Sequence, residues 1–387
     1  MVILSVVIPA YNAEKYLKRC IDSVEKSLEN ARAAADSEVI VINDGSKDRT
    51  SDICIELQNE YANVKIINLD DQGVSAARNA GLKMATGKYI GFVDADDAVD
   101  IGMFEKLLSV AEAEKADIVG CGFLSWDGKE PFDTSGNRND NRNDSHNGNH
   151  NGNENSSENG IAHEYDLYSP IEFIEKQFLV NNTRCWSKIY RKDTIADVIF
   201  KEGLTIGEDM LFLLQAVKKS AVIVEFKEYR GYGYYRNPIG AIERPFTPKY
   251  MDQILCWKLV REELTGVFED NANNGNTNNG NTNNRNTNDR CSEIEQITIS
   301  KLIVGIMLVV SKIAMTNASA KNTEKDSAKE TVKQNLNYVN ICHEEIKNAI
   351  RDCPEAGSCL DRGYRLKTCI FKNFPKLYMK LYGLWKA

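Results

Sequence analysis

The 387-residue chain has only four histidines, His146, His150, His163 and His343, and two of them lie in an asparagine-rich stretch. With so few, and with no G-x-S-x-G elbow, a serine hydrolase triad is disfavoured. No G-x-G-x-x-G follows the first strand-like run, which argues against a dinucleotide-dependent dehydrogenase, and no G-x-x-x-x-G-K-[ST] is present, which excludes a P-loop kinase. The ten cysteines are scattered and none forms a C-x-x-C pair, so a zinc site from paired thiolates is not expected. Cys20 and Cys54 fall within apolar patterns and are expected to be buried as small hydrophobes. The longest uninterrupted apolar run, Leu302 to Val310, has nine residues, too few to cross a bilayer as a helix. Met1 leads straight into a strand-like run with no basic-then-apolar leader. A cytoplasmic, reducing location is the expectation. There is no excess of positive charge either: 48 Lys and Arg against 56 Asp and Glu leave a net charge of -8, unsuited to a nucleic-acid partner.

What is present is an alternation of two hydrophobic periods over the first 125 residues. Ile3–Ile8, Val39–Ile42, Val64–Leu69, Tyr89–Val93 and Ile118–Phe123 are apolar runs of strand length. Between them, helical spacing recurs over Leu17–Leu28, with Asn12 placed to cap it, and over Asp48–Tyr61, Val74–Met84 and Met103–Ala113. This predicts an α/β fold with a mostly parallel sheet and helices on both faces. Ligands of such sheets gather beyond the carboxyl ends of the strands. Residues 1–125 are therefore expected to form one functional half, 126–245 a second, and 246–387 a helical C-terminal region with patterns at Ile294–Met315 and Glu324–Ile350. Asparagine-rich insertions at 135–160 (ten Asn) and 271–290 (eleven Asn) cannot bury apolar surface and are expected to be mobile.

Each strand end carries a polar motif. After the first comes Pro9-Ala10-Tyr11-Asn12, where Pro9 is expected to stop the ladder and Tyr11 to offer a flat face to a base, or simply to form a turn. After the second comes Asn43-Asp44-Gly45-Ser46, either an Asp-Gly turn or a carboxylate accepting from a pyrimidine N–H. Gly73–Gly81 opens a helix with small residues that admit a phosphate or ribose, and Arg78 suits phosphate oxygens, or else a solvated surface. Asp94-Ala95-Asp96-Asp97 ends the fourth strand. Three carboxylates in four residues call for a hard cation, Mn²⁺ or Mg²⁺, with helix capping as the alternative. Glu208 and Asp209 open a further helix, where acids suit the dipole or, for Asp209, remove a proton from a hydroxyl.

Taken together, Ser5–Asn12, Val41–Ser46, Gly73–Gly81 and Phe92–Asp97 resemble glycosyltransferase family 2, whose members are inverting enzymes with the Rossmann-like GT-A fold. Cys185–Tyr190, Glu208-Asp209 and Tyr234-Tyr235-Arg236 carry the resemblance onward. It implies transfer of a sugar from a nucleotide diphosphate sugar, a UDP-sugar first, to a saccharide or lipid-linked saccharide acceptor, with surface polysaccharide as the product. Pro9, Tyr11 and Asp44 would hold the base, Arg78 would lie near the diphosphate and Asp94 near the ribose, and Asp96 would bind the metal. Asp209 would be the general base beside Glu208, with Trp186 stacked on the acceptor sugar or in the core, and Lys188 a weaker phosphate or acceptor contact. The rivals are a sugar-phosphate nucleotidyltransferase and a non-catalytic sugar-nucleotide binder. Finally, Arg362–Ala387 holds seven Lys or Arg and no acid. Leu366, Ile370, Phe374, Tyr378, Leu381 and Trp385 recur at helical spacing, with Pro375 starting a second helix. This suits peripheral contact with the inner face of the plasma membrane, or a helix docked on its own domain.

Overall fold

The strand β1 (Leu4–Ala10) is buried at every position but one, as expected of a central strand covered on both faces. It pairs in parallel with β2 (Ser37–Asp44) on one side and with β4 (Tyr89–Phe92) on the other, and β2 pairs in parallel with β3 (Val64–Leu69). The intervening helices are α1 (Leu17–Asn30), α2 (Thr50–Glu60) and α3 (Val74–Met84). This is a computed structural model, and it describes residues 2–127, 131–132, 164–238, 240, 244–274, 287–321 and 326–386.

Two local expectations change. Pro9 does not stop the ladder: it stands opposite Ile42 and Ala10 opposite Asn43, because proline in a strand forfeits only its own N–H. Asn12 does not cap α1, which begins five residues later after an uncapped Tyr16. With φ of +50°, Asn12 instead accepts from Lys47 N at 2.8 Å and donates its own N–H to Ser46 Oγ at 3.0 Å, joining the loops after β1 and β2.

Beyond β4 the chain forms β5 (Ala98–Val99) and α4 (Met103–Ala113), and the run expected as one strand then splits. β6 (Ile118–Gly120) stays in the main sheet, whereas β7 (Phe123–Trp126) leaves for a second one. After it come β8 (Tyr165–Tyr168), α5 (Pro170–Lys176), β9 (Lys188–Arg191), α6 (Glu208–Lys219), β10 (Ile223–Phe226) and β11 (Tyr232–Tyr235). The main sheet has the order β3-β2-β1-β4-β9-β6-β10-β8, with β9 and β8 antiparallel to their neighbours; the small one is β5-β11-β7. The sheet is thus mostly parallel, as expected.

Helices α7 (Asp252–Asn274), α8 (Thr287–Lys321), α9 (Asp326–Asp352), α10 (Arg362–Asn373) and α11 (Pro375–Lys386) make the C-terminal region. The central residues of the second Asn-rich insertion and all of the first fall outside the described residues, and so does their expected mobility; the flanks of the second, 271–274 and 287–290, continue α7 and α8. The bilayer expectation also needs amending. Although its longest run is nine residues, the 28-residue stretch Glu293–Ala320 is long and apolar enough to cross a membrane; 72% of its most apolar part is buried, which makes it the core helix of this region. α8 packs against α7, α9 and α11. Gly305 permits the close approach of α7: a Cβ there would lie 3.2 Å from Trp257 Cδ1. Of the nine cysteines whose side chains are described all are free and seven are buried, with Cys359 and Cys369 exposed.

Candidate active site

The strand ends converge as the parallel sheet requires. Beyond β1, Tyr11 is 47% exposed, a free aromatic face at the sheet's carboxyl edge. Pro9 is half-buried beneath it. At the end of β2, the Asp44 carboxylate is buried and accepts from Gln72 N at 2.8 Å and Gly73 N at 2.7 Å. It thereby anchors the loop into α3. The neighbouring Gly45, at φ +69°, lies so close to that loop that a Cβ would fall 2.6 Å from Asp71 N.

The centre of the site is Arg78. The α3 helix carries it almost wholly buried, donating to Asp94 Oδ1 at 2.9 Å and to Glu208 Oε1 at 2.8 Å. One guanidinium thus ties the end of β4 to the start of α6, whose Glu208 is 130 residues beyond Arg78. Burial disfavours its charge, but the surrounding acidic groups, Cys185 first and then Asp94, Glu208 and Asp209, outweigh that and hold its pKa well above the ordinary value. Its Nε has no partner among the described residues, so the planar fork is committed to the two acids.

The three aspartates after β4 diverge. Asp96 is half-buried; its carboxylate accepts from Asn237 Nδ2 at 3.0 Å, and its backbone carbonyl from Arg19 at 2.6 Å. Burial pushes its pKa up, and the charge of Asp94 adds to this. Asp97 is fully buried and turned away from the others. It accepts from Tyr232 Oη at 2.6 Å and Tyr235 N at 2.7 Å, an anchor for β11, with its pKa raised far by burial and then by Asp94 and Asp96. Among the described residues no group of three His, Cys, Asp or Glu could by itself hold a metal ion. Two carboxylates that repel each other nevertheless fit a hard cation that takes its remaining ligands from substrate oxygens and water.

Gly207 sets the start of α6 at φ +91°, where a Cβ would lie 2.7 Å from Cys256 Sγ. The next two residues are Glu208, paired with Arg78, and Asp209. Asp209 is not the freely projecting carboxylate that its place in a first turn suggests. It is half-buried and accepts from Met210 N at 2.8 Å. Burial first, and then the charge of Glu208, raise its pKa from 3.8 to about 7, against the pull of Arg78.

Two acceptor-side candidates, Lys188 and Trp186, are buried. Lys188 is 1% exposed, with its ammonium 2.7 Å from Asn182 Oδ1 and 3.4 Å from Glu225 Oε1. Trp186 is buried, stacked on Tyr232 at 4.5 Å and on Tyr234 at 5.6 Å between ring centroids, so it supports the wall of the site from the core. Sequence reasoning missed Tyr232, Asn237 and Arg184. The first two adjoin the Tyr234–Arg236 motif, but only the fold brings them to the aspartates.

The profile described as Glycosyl transferase family 2 matches residues 5–178. An uncharacterised glycosyltransferase of Bacillus subtilis, EpsJ, is 31% identical over 255 residues, which are 65% of this chain and 66% of EpsJ. Residues 5–178 thus carry a glycosyltransferase family 2 domain. The minor teichoic acid biosynthesis protein GgaB of B. subtilis is 31% identical over 58% of this chain, which spans only 22% of GgaB. Among solved structures, the glycosyltransferase-family fold recurs in residues 1–349 of S. aureus TarS in complex with UDP, with a TM-score of 0.58 at 17% identity over 98% of this chain and 90% of that one. At that identity the likeness concerns the fold, which is the GT-A type with a helical C-terminal region.

Proposed function

We propose that this protein is an inverting glycosyltransferase that moves a sugar from a nucleotide diphosphate sugar, a UDP-sugar first, to an acceptor hydroxyl in cell-surface polysaccharide or lipid-linked saccharide synthesis. The observation that carries the reading is the Arg78 bridge between Asp94 and Glu208, beside a carboxylate whose pKa of about 7 suits a base. The family and the UDP bound to TarS favour the donor class.

In this reading Pro9, Tyr11 and Asp44 receive the base, and Asp44 does so with the lone pairs its two backbone contacts leave free. Asp94, fixed by Arg78, orients the ribose next to the diphosphate. Bound Mn²⁺ or Mg²⁺, held by Asp96, would neutralise charge on the departing diphosphate. Asp209 takes the acceptor proton as the hydroxyl attacks the anomeric carbon from the side opposite the diphosphate, so the configuration inverts with no covalent intermediate. Glu208 keeps Arg78 in place and helps keep Asp209 basic. The experiment is calorimetric titration of UDP, GDP and dTDP in Mn²⁺, followed by UDP release from UDP-sugars. Binding of none of the three would end the reading.

The proposed site of work is the cytoplasmic face of the membrane. The α10–α11 hairpin docks on its own domain through Phe371 and Tyr378, whose Oη lies 3.1 Å from Ser311 Oγ. It leaves a second apolar face outward: Leu366 and Phe374 are more than 60% exposed, and Leu377 and Leu381 about half. Apolar residues interleaved with seven basic ones and no acid match an anionic bilayer that holds a lipid-linked acceptor.

A further inference from the structure

Among the described residues Arg184 is a cation without an anion. Its guanidinium lies 4.4 Å from the ring of Phe123 and 5.2 Å from that of Trp186, and it makes no hydrogen bond or ion pair with any described residue. Two neighbouring cations are satisfied: Lys188 by Glu225, and Arg191 by Asp117 and by the carbonyls of Lys115 and Ala116. Burial pulls the Arg184 pKa down, and the acids that favour its charge, Asp209 and Glu225, stand too far off to form a salt bridge. A second cation serves the same loop. Lys301, partly buried and also without an acid among the described residues, donates to Asn181 Oδ1 at 3.0 Å.

We propose that Arg184 is the seat for a phosphate or carboxylate on the acceptor, so that the acceptor of this enzyme is an anionic saccharide or polyol. Aromatic rings beside a guanidinium hold its plane and leave its N–H edge for an anion, which it binds through two parallel hydrogen bonds. The anion belongs to the acceptor and not to the donor because of where Arg184 sits. In the proposed function the donor diphosphate faces Asp94 and Asp96, whereas Arg184 lies against Trp186 and within the electrostatic reach of Asp209 and Tyr234, on the side where the attacking hydroxyl must arrive. This deepens the glycosyltransferase reading and rests on it only for the word acceptor.

The test titrates full-length protein with glycerol 3-phosphate, glycerate and glycerol, with and without saturating UDP and Mn²⁺. At least one anion should bind about tenfold or more tightly than glycerol, a margin typical of a charge-assisted pair. UDP should leave that preference intact. Arg184→Gln should abolish it with UDP affinity unchanged. Arg184→Lys, which keeps the charge and guards against misfolding, should weaken it severalfold. No preference in the wild type, or an undiminished one in either variant, overturns the proposal. Loss of anion binding on adding UDP would assign the seat to the donor phosphates instead. An anion preference in a protein that binds no UDP would leave the seat standing and remove the glycosyltransferase reading.

Discussion

Replacing Asp209 by asparagine should destroy turnover and stabilise the protein at once. The carboxyl titrates near 3.8 when free and at about 7 in the fold, a rise of about three units caused by burial and then by Glu208. At 1.36 kcal/mol per unit this is ~4 kcal/mol of strain in the charged form, and with the half-buried carboxyl partly open to solvent roughly 2–4 kcal/mol should be relieved. The sign follows from proton counts. Between pH 4 and 7 the folded state binds more protons than the unfolded one, so stability falls as pH rises and the penalty is complete above pH 7. The asparagine side chain carries no charge and can still accept from Met210 N, so the variant's advantage in urea should be full at pH 8 and vanish near pH 4. Turnover should fall ~10²–10⁴-fold. In the wild type, kcat/KM for the donor should rise tenfold per pH unit up to about 7 and then level. Paired urea titrations and rate profiles across pH 4–9 check this. A variant less stable than wild type at pH 8, or a wild-type profile flat from pH 5, would refute it.

Three further outcomes are expected. Stripping divalent metal should abolish UDP-sugar turnover, and Mn²⁺ or Mg²⁺ should restore it; full turnover in excess EDTA counts against Asp96 as a metal ligand. Arg78→Ala leaves the buried Glu208 and the half-buried Asp94 unpaired, and should cost about 3–5 kcal/mol in urea unfolding. A loss below about 1 kcal/mol would mean that the two acids find other partners. Full-length protein should float with anionic liposomes and not with zwitterionic ones. Charge-conserving Leu366→Gln and Phe374→Gln should release it, and flotation unchanged by both would place the contact elsewhere.

The local pattern of this chain determined most of its first hundred residues. Alternating periods of two and 3.6 are properties of neighbouring residues, so β1 to β4, with α2 and α3 between them, stand within a few positions of where the spacing puts them. Four motifs at strand ends were enough to suggest the family, because a parallel sheet places every strand end on one edge. What the spacing could not carry is anything decided by partners far along the chain. Asp94, Asp96 and Asp97 look alike in sequence. The fold gives the first to Arg78, leaves the second to Asn237 and takes the third into the core under Tyr232. Nothing near Lys188 in sequence shows that Glu225 lies beside it, and nothing near Arg184 shows that no described acid pairs with it. Charge in a sequence is only a count; whether a charge is neutralised, buried or left waiting depends on distances of a few ångströms that only tertiary packing sets.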